Sequence, residues 1–235
     1  MVTRWDHVGV TDPEENPAIP AATVVLVRDG ARELEVLMLH RTSKVAFGGM
    51  WVFPGGRVDD HDRRPDDVSD EAAARRAAAR ESVEECGLAL EPDEFVPFSH
   101  WVPPAITPRR YATWFFVARA SDGDVVVDGG EMDDHAWLAP GEVLARRERG
   151  EVDLAPPTFV TLHDLASHPD VDAALADARR RAPVPHYATH FAAVEGGAVT
   201  MWAGDAGYET SDPGVSGARH RLWMLEEGWR LDRSP

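Results

Sequence analysis

A chain of 235 residues, 43% hydrophobic and 28% charged, suits one generous globular domain or one domain with an appendage. Its 41 acidic and 24 basic residues leave a formal net charge of -17, the wrong sign for a general nucleic-acid partner. Lys44 is the sole lysine, which removes any P-loop reading; the single cysteine, Cys86, excludes an intrachain disulfide and suits a reducing cytoplasm.

Residues 1–19 hold Pro13 and Pro17 and little periodicity, so an irregular N-terminal arm is expected, with no apolar stretch of the kind a secretory signal needs. "ATVVLVRDG" and "LEVLMLHR" read as two strands joined by a turn at Gly30. The longest aliphatic run, "AATVVLV", is too short to cross a bilayer, so no membrane partner is expected. "KVAFGGMWVFPGGRV" mixes glycines with aromatics, and Pro54-Gly55-Gly56 is expected to break any regular element. The polar stretch 59–69 reads as an exposed loop, with Ser69 as the N-cap of an alanine-rich helix over about 70–86 and Gly87 just past its end. Helical spacing puts Ala79, Val83 and Cys86 on a core face and Glu81, Glu84 and Glu85 on the opposite one.

Strands are expected in "EFVPFSHWV", "TWFFVARA" and near 135–138, then a short surface helix in "GEVLARRERGE". "TFVTLHDLAS" and "DVDAALADARRR" read as helices, and the tail from 184 as short strands. Interleaved strands and helices point to an α/β or α+β sandwich, with a core over 20–150 and an extension over 151–235. Residues 141–235 leave three roles open: covering a pocket, building a homodimer interface, or completing the sheet's second face.

The stretch "ARESVEECGL" poses the chemical question. Three glutamates on one helical patch repel one another, at about 0.2–0.5 kcal/mol per pair. "FPGGRV" followed by "RESVEECGL" resembles the signature of the Nudix hydrolase family: a glycine, a short acidic loop, then Arg-Glu-x-x-Glu-Glu-x-Gly.

The resemblance implies a Nudix-type α/β/α sandwich with a mixed sheet, and Mg²⁺-dependent (or Mn²⁺-dependent) hydrolysis of a diphosphate in a small nucleoside diphosphate derivative. It implies that Glu81, Glu84 and Glu85 ligate metal with the carbonyl of Gly56, that Arg80 fixes a neighbouring carboxylate, and that one glutamate doubles as the base. Glu131, six residues before Trp137, is the candidate for an additional metal-binding or catalytic glutamate. Arg41, Arg109 and Arg110 are candidates for substrate phosphate.

The interval from Gly56 to Arg80 is ten residues longer than the usual one. Counted forward from Gly56, the customary extra glutamate position holds Asp62; counted back from Arg80, it holds Ala72. Ser82 stands at a commonly aliphatic position. The longer loop, with "HWVPPAITPRRYATWFFVA" downstream, resembles the branch acting on coenzyme A and acyl-CoA, although Ala112 stands where an acidic residue is expected. Alternatives are a Nudix pyrophosphatase for NADH or ADP-ribose, a non-catalytic nucleotide-sensing module, and an interaction protein whose acidic helix is only a solvated face. A zinc site at His186 and His190 is disfavoured because Pro183 and Pro185 oppose the helix that would align them, and "GVSG" lacks the full nucleophile elbow of a serine hydrolase.

Overall fold

The computed structural model describes residues 16–42 and 48–235; most of the N-terminal arm and the start of the glycine–aromatic stretch fall outside them. The described residues divide into two compact units: a larger one within 20–100 and 113–185, and a smaller one of residues 16–19, 101–112 and 186–235. Strands β1 (Ile19–Asp29), β2 (Leu34–Arg41), β3 (Trp51–Val52) and β4 (Gly55–Arg57) come first, followed by helix α1 (Asp70–Cys86). Then come β5 (Val96–Val102), β6 (Tyr111–Arg119), β7 (Met132–Leu138), α2 (Pro140–Glu148), α3 (Pro156–Leu165) and α4 (Val171–Arg180). The expected elements of this region therefore form, and α3 and α4 group with the larger unit. The fold is mixed α+β.

The larger unit's sheet has the order β3-β2-β1-β6-β5, with β7 on the free side of β2. Ala22, Val24 and Leu26 of β1, Leu37 and Leu39 of β2, and Phe116 and Ala118 of β6 form one apolar face under Ala74, Ala77 and Ala78 of α1. Their neighbours Val25, Val27, Val36 and Met38 are as completely buried on the other face. A sheet covered on both sides explains why β1 and β2 read as continuous apolar runs rather than alternating ones.

β1 and β2 pair only near their turn, from Val27↔Val36 to Asp29↔Leu34. Further along they part: β1 takes β4 as its partner (Ala22↔Gly56, Thr23↔Gly55), and β2 takes β3 (Leu39↔Val52). Pro54-Gly55-Gly56 therefore does not simply interrupt regular structure. Gly55 lies so close to β1 that a Cβ there would sit 2.4 Å from the Ala22 carbonyl oxygen. Only glycine lets the ladder close at that point.

α1 ends as expected, with Gly87 left-handed at φ 74° and its N–H turned back to the carbonyls of Ser82 and Val83. Ser69 takes the extended N-cap conformation but makes no capping bond with its side chain. The expected core face needs correction. The buried stripe is Ala73, Ala74, Ala77, Ala78, Ser82, Glu85 and Cys86, whereas Val83 is 50% exposed. Ser82 tolerates complete burial because its hydroxyl donates to the Leu88 carbonyl at 3.0 Å. Alanine spaced at three and four residues lets the helix lie close on the sheet; valine is not required there.

The smaller unit carries β8 (His186–Ala188), β9 (His190–Val194), β10 (Gly197–Met201), β11 (Arg219–Leu225) and β12 (Gly228–Ser234). The last four form an antiparallel sheet in the order β12-β11-β10-β9. His186 and His190 thus lie on strands, not on one helical face. Trp101 stacks on Tyr187 at 3.9 Å between ring centroids, and Trp202 meets both rings edge-on. Beside this cluster Arg221 and Asp205 are both buried and form a two-pronged pair at 2.6 and 2.7 Å. The Asp205 carboxylate also accepts the N–H groups of Gly207 and His220, each at 2.8 Å.

Candidate functional site

The parting of β1 and β2 places the Gly55-Gly56 backbone against the C-terminal half of α1. The Gly55 N–H donates to Glu85 Oε2 at 2.8 Å. Gly56 faces Glu81 so closely that a Cβ would meet Glu81 Oε1 at 2.3 Å. Toward the helix the two positions act differently: the Gly55 backbone supplies a donor and Gly56 supplies room.

Glu85 is 5% exposed. Burial pushes its carboxyl up to about 8, the Gly55 N–H opposes this, and the Glu81 charge adds to it. Burial likewise raises Glu81, against the hydrogen bond from Arg80. Glu84 has its side chain 56% exposed. The three glutamates thus share a patch at three different depths.

Arg80 joins them. Its Nη1 donates to Glu81 Oε1 at 2.8 Å and to Glu84 Oε2 at 3.0 Å, while Nη2 donates to the Arg57 carbonyl at 3.0 Å. The far side of the guanidinium meets Asp62, with Nε and Nη2 at 3.3 and 3.0 Å from its carboxylate oxygens. Asp62 is only 4% exposed, inside a stretch expected to be a plain exposed loop; residues 60–62 form a short 3-10 turn. Burial alone would raise the Asp62 carboxyl, but the bonds from Arg80 and the Asp59 N–H outweigh it and hold it below its usual range. Counting forward from Gly56 was therefore the signal that finds this acid, and counting back from Arg80 misses it.

Arg41 closes the patch from β2. Its Nη2 lies 2.6 Å from Glu131 Oε2, and its Nη1 lies 3.8 Å from Glu85 Oε1. Its Nε is buried with no hydrogen-bond partner among the described residues. Glu131 therefore does come to the patch, through Arg41, with its own side chain 56% exposed. Arg109 and Arg110 belong to the smaller unit. Arg110 is 8% exposed and its guanidinium is taken up by the carbonyls of Asn16 and Pro103, at 2.7 and 3.0–3.1 Å. Arg109 is exposed.

Among the described residues no three His, Cys, Asp or Glu side chains already converge on a point that would enclose a metal ion. The donors nonetheless fit a hard divalent cation: they are all oxygens, two of the three carboxylates are raised by burial, and a positive guanidinium already bridges Glu81 and Glu84. Among the described residues no helix is long and apolar enough to cross a membrane.

A family model described as the NUDIX domain matches residues 18–158. "Putative nudix hydrolase 7" of Caenorhabditis elegans is 28% identical over 189 residues, 65% of this chain; the chain spans 62% of that relative's length. The crystal structure of a NUDIX hydrolase from Alicyclobacillus acidocaldarius is similar with a TM-score of 0.61 and 25% identity, over 68% of this chain and 96% of that one. With the family model covering more than half of its length, and the glycine pair, the arginine and the three glutamates brought to one patch, the chain belongs to the Nudix family.

Proposed function

We propose that this protein is a divalent-metal-dependent hydrolase that cleaves the diphosphate linkage of a nucleoside diphosphate derivative, with coenzyme A or an acyl-CoA as the favoured substrate. One observation carries the reading: Glu81 and Glu85 lie against the Gly55-Gly56 backbone, and Arg80 ties Glu84 to Glu81. The CoA preference rests on the lengthened loop and on the resemblance of the downstream "HWVPPAITPRRYATWFFVA" to that branch. A cytoplasmic setting belongs to the same proposal.

Glu81, Glu84, Glu85 and the Gly56 carbonyl would hold Mg²⁺. When bound, the ion would neutralise diphosphate oxygens and ease ionisation of the attacking water. Arg80 keeps Glu81 and Glu84 side by side, so that the donors need little reorganisation. Arg41 supplies a cation beside Glu85 and Glu131, placed to attract a phosphate oxygen. Glu131, exposed and, among the described residues, ion-paired with Arg41, is the carboxylate best placed to accept a proton from water at the rim.

Incubation with Mg²⁺ or Mn²⁺ and a panel of CoA, acetyl-CoA, NADH and ADP-ribose, with product analysis, tests reaction and substrate together. Adenosine 3′,5′-bisphosphate released from CoA is the expected product. Turnover of NADH or ADP-ribose alone would move the substrate assignment, and binding without turnover would favour a nucleotide-sensing module. In the same assay Gly56→Ala should lower the rate by about 10²-fold, because its Cβ displaces the Glu81 carboxylate. An unchanged far-UV spectrum would accompany that loss, and an unchanged rate would remove Gly56 from the site.

A further inference from the structure

The lengthened loop raises a geometric question: how does Asp62 reach Arg80 when ten extra residues separate them? Arg76 lies one helical turn before Arg80 and so on the same side of α1. Its Nε donates to the backbone carbonyl of Asp62 at 2.7 Å, and its Nη2 donates to Asp67 Oδ1 at 2.6 Å. Asp67 in turn accepts the Arg64 N–H at 2.8 Å, which closes its own turn. Asp62 is further fixed by exchange with Asp59: its N–H donates to the Asp59 carbonyl at 3.0 Å, and its carboxylate accepts the Asp59 N–H at 2.9 Å. Arg76 thus takes the loop's backbone while Arg80 takes its carboxylate. Arg75, next along the helix, faces away and binds Glu71 and the carbonyls of Pro92 and Phe95.

We propose that Arg76 is a positioning residue: by clamping the loop through Asp62 and Asp67 it seats Asp62 on Arg80, and through Arg80 it sets Glu81 and Glu84. Its effect on turnover rests on the function proposed above; its effect on Arg80 does not. The pair with Asp67 has side chains only 20% and 16% exposed, so it is shielded from the solvent screening that makes rim pairs weak. Arg63 and Asp70, 40% and 78% exposed, are such a rim pair.

The test follows the Arg80 Nε–H resonance in ¹⁵N-labelled protein, assigned by its loss in Arg80→Lys. Arg76→Met should shift that resonance and speed its hydrogen exchange by about tenfold or more, since the bond to Asp62 opens. kcat should fall about tenfold, with KM within about twofold of wild type, because the groups displaced act on the reacting centre. Arg75→Met serves as the control: it removes a helix-to-backbone tie of the same kind and should leave the Arg80 signal in place. Asp67→Asn, which alters only the loop end of the clamp, should move the Arg80 signal in the same direction as Arg76→Met. It carries the readout if Arg76→Met does not fold. An Arg80 signal unmoved by the Arg76 and Asp67 variants, or moved equally by Arg75→Met, overturns the proposal. If wild-type protein hydrolyses no diphosphate, the functional reading fails while the Arg80 signal still decides the clamp.

Discussion

Glu85→Gln is expected to reduce diphosphate hydrolysis on the order of 10²–10³-fold while leaving the metal-free protein at least as stable as wild type. Both halves follow from where Glu85 sits. Glutamine keeps the length of the side chain and an oxygen for the Gly55 N–H, so packing at this 5%-exposed position is preserved. It removes the negative charge that the proposed metal site needs.

The stability half comes from proton linkage. Glu85 has its carboxyl raised from 4.5 to about 8 in the fold, chiefly by burial. A raised acid favours the folded state fully below its unfolded value, and that contribution is lost as pH climbs from 4.5 towards 8. At pH 7 the fold therefore bears a cost on the order of 3 kcal/mol for keeping this acid, and glutamine escapes it. Thermal melts of both proteins at pH 5 and pH 7.5 without metal check the point: the variant's advantage should appear at the higher pH. Full activity in Glu85→Gln would remove Glu85 from the proposed ligand set.

The second large effect lies in the smaller unit. Asp205→Asn should destabilise the protein by about 3–5 kcal/mol, because it leaves the guanidinium of buried Arg221 without its counter-charge. In a chain of this size that corresponds to a fall in Tm of about 6–20 °C if unfolding is cooperative. Burial works to raise the Asp205 carboxyl, but the bonds from Arg221, His220 and Gly207 hold it at about 2, below the ordinary 3.8. A depressed acid stabilises above its unfolded value, and the contribution, about 2 kcal/mol, is lost as pH falls from about 4 to about 2. Denaturant midpoints measured across that window should fall in wild type and fall less in Asp205→Asn. A variant that melts with wild type would show the pair to be energetically idle.

Most of the secondary structure was legible in the residues, because it rests on local signals. Alanine content and Gly87 mark α1, and "VVLV" and "LMLH" mark strands whose two faces are both buried. What escaped depends on contacts between distant segments. Gly55 and Gly56 carry no side-chain pattern, so their strand is visible only once Ala22 and Thr23 lie beside them. Val83 satisfies helical periodicity as well as Ala77 does, but the close approach of helix and sheet selects small residues, and Ser82 enters because the Leu88 carbonyl meets its hydroxyl. The site was legible in part for the same reason. The glutamates and Arg80 are contiguous in the chain, whereas Asp62 is joined to Arg80 only through a folded loop, and Arg76 belongs to no motif at all.

The stretch between the two clamped aspartates has a practical consequence. Asp62 and Asp67 are both held to Arg76, while residues 63–66 between them are exposed. With its two ends pinned, such a segment can grow at little cost, since each doubling of loop length adds only about 0.6 kcal/mol. The number of residues between the glycine pair and the helix is then free to vary so long as Asp62 still reaches Arg80, although an insertion at Pro65 has to keep the turn in which Asp67 accepts the Arg64 N–H. A pattern that demands fixed spacing will overlook chains built this way, while one that asks for a reachable acid partner for the helix arginine will find them.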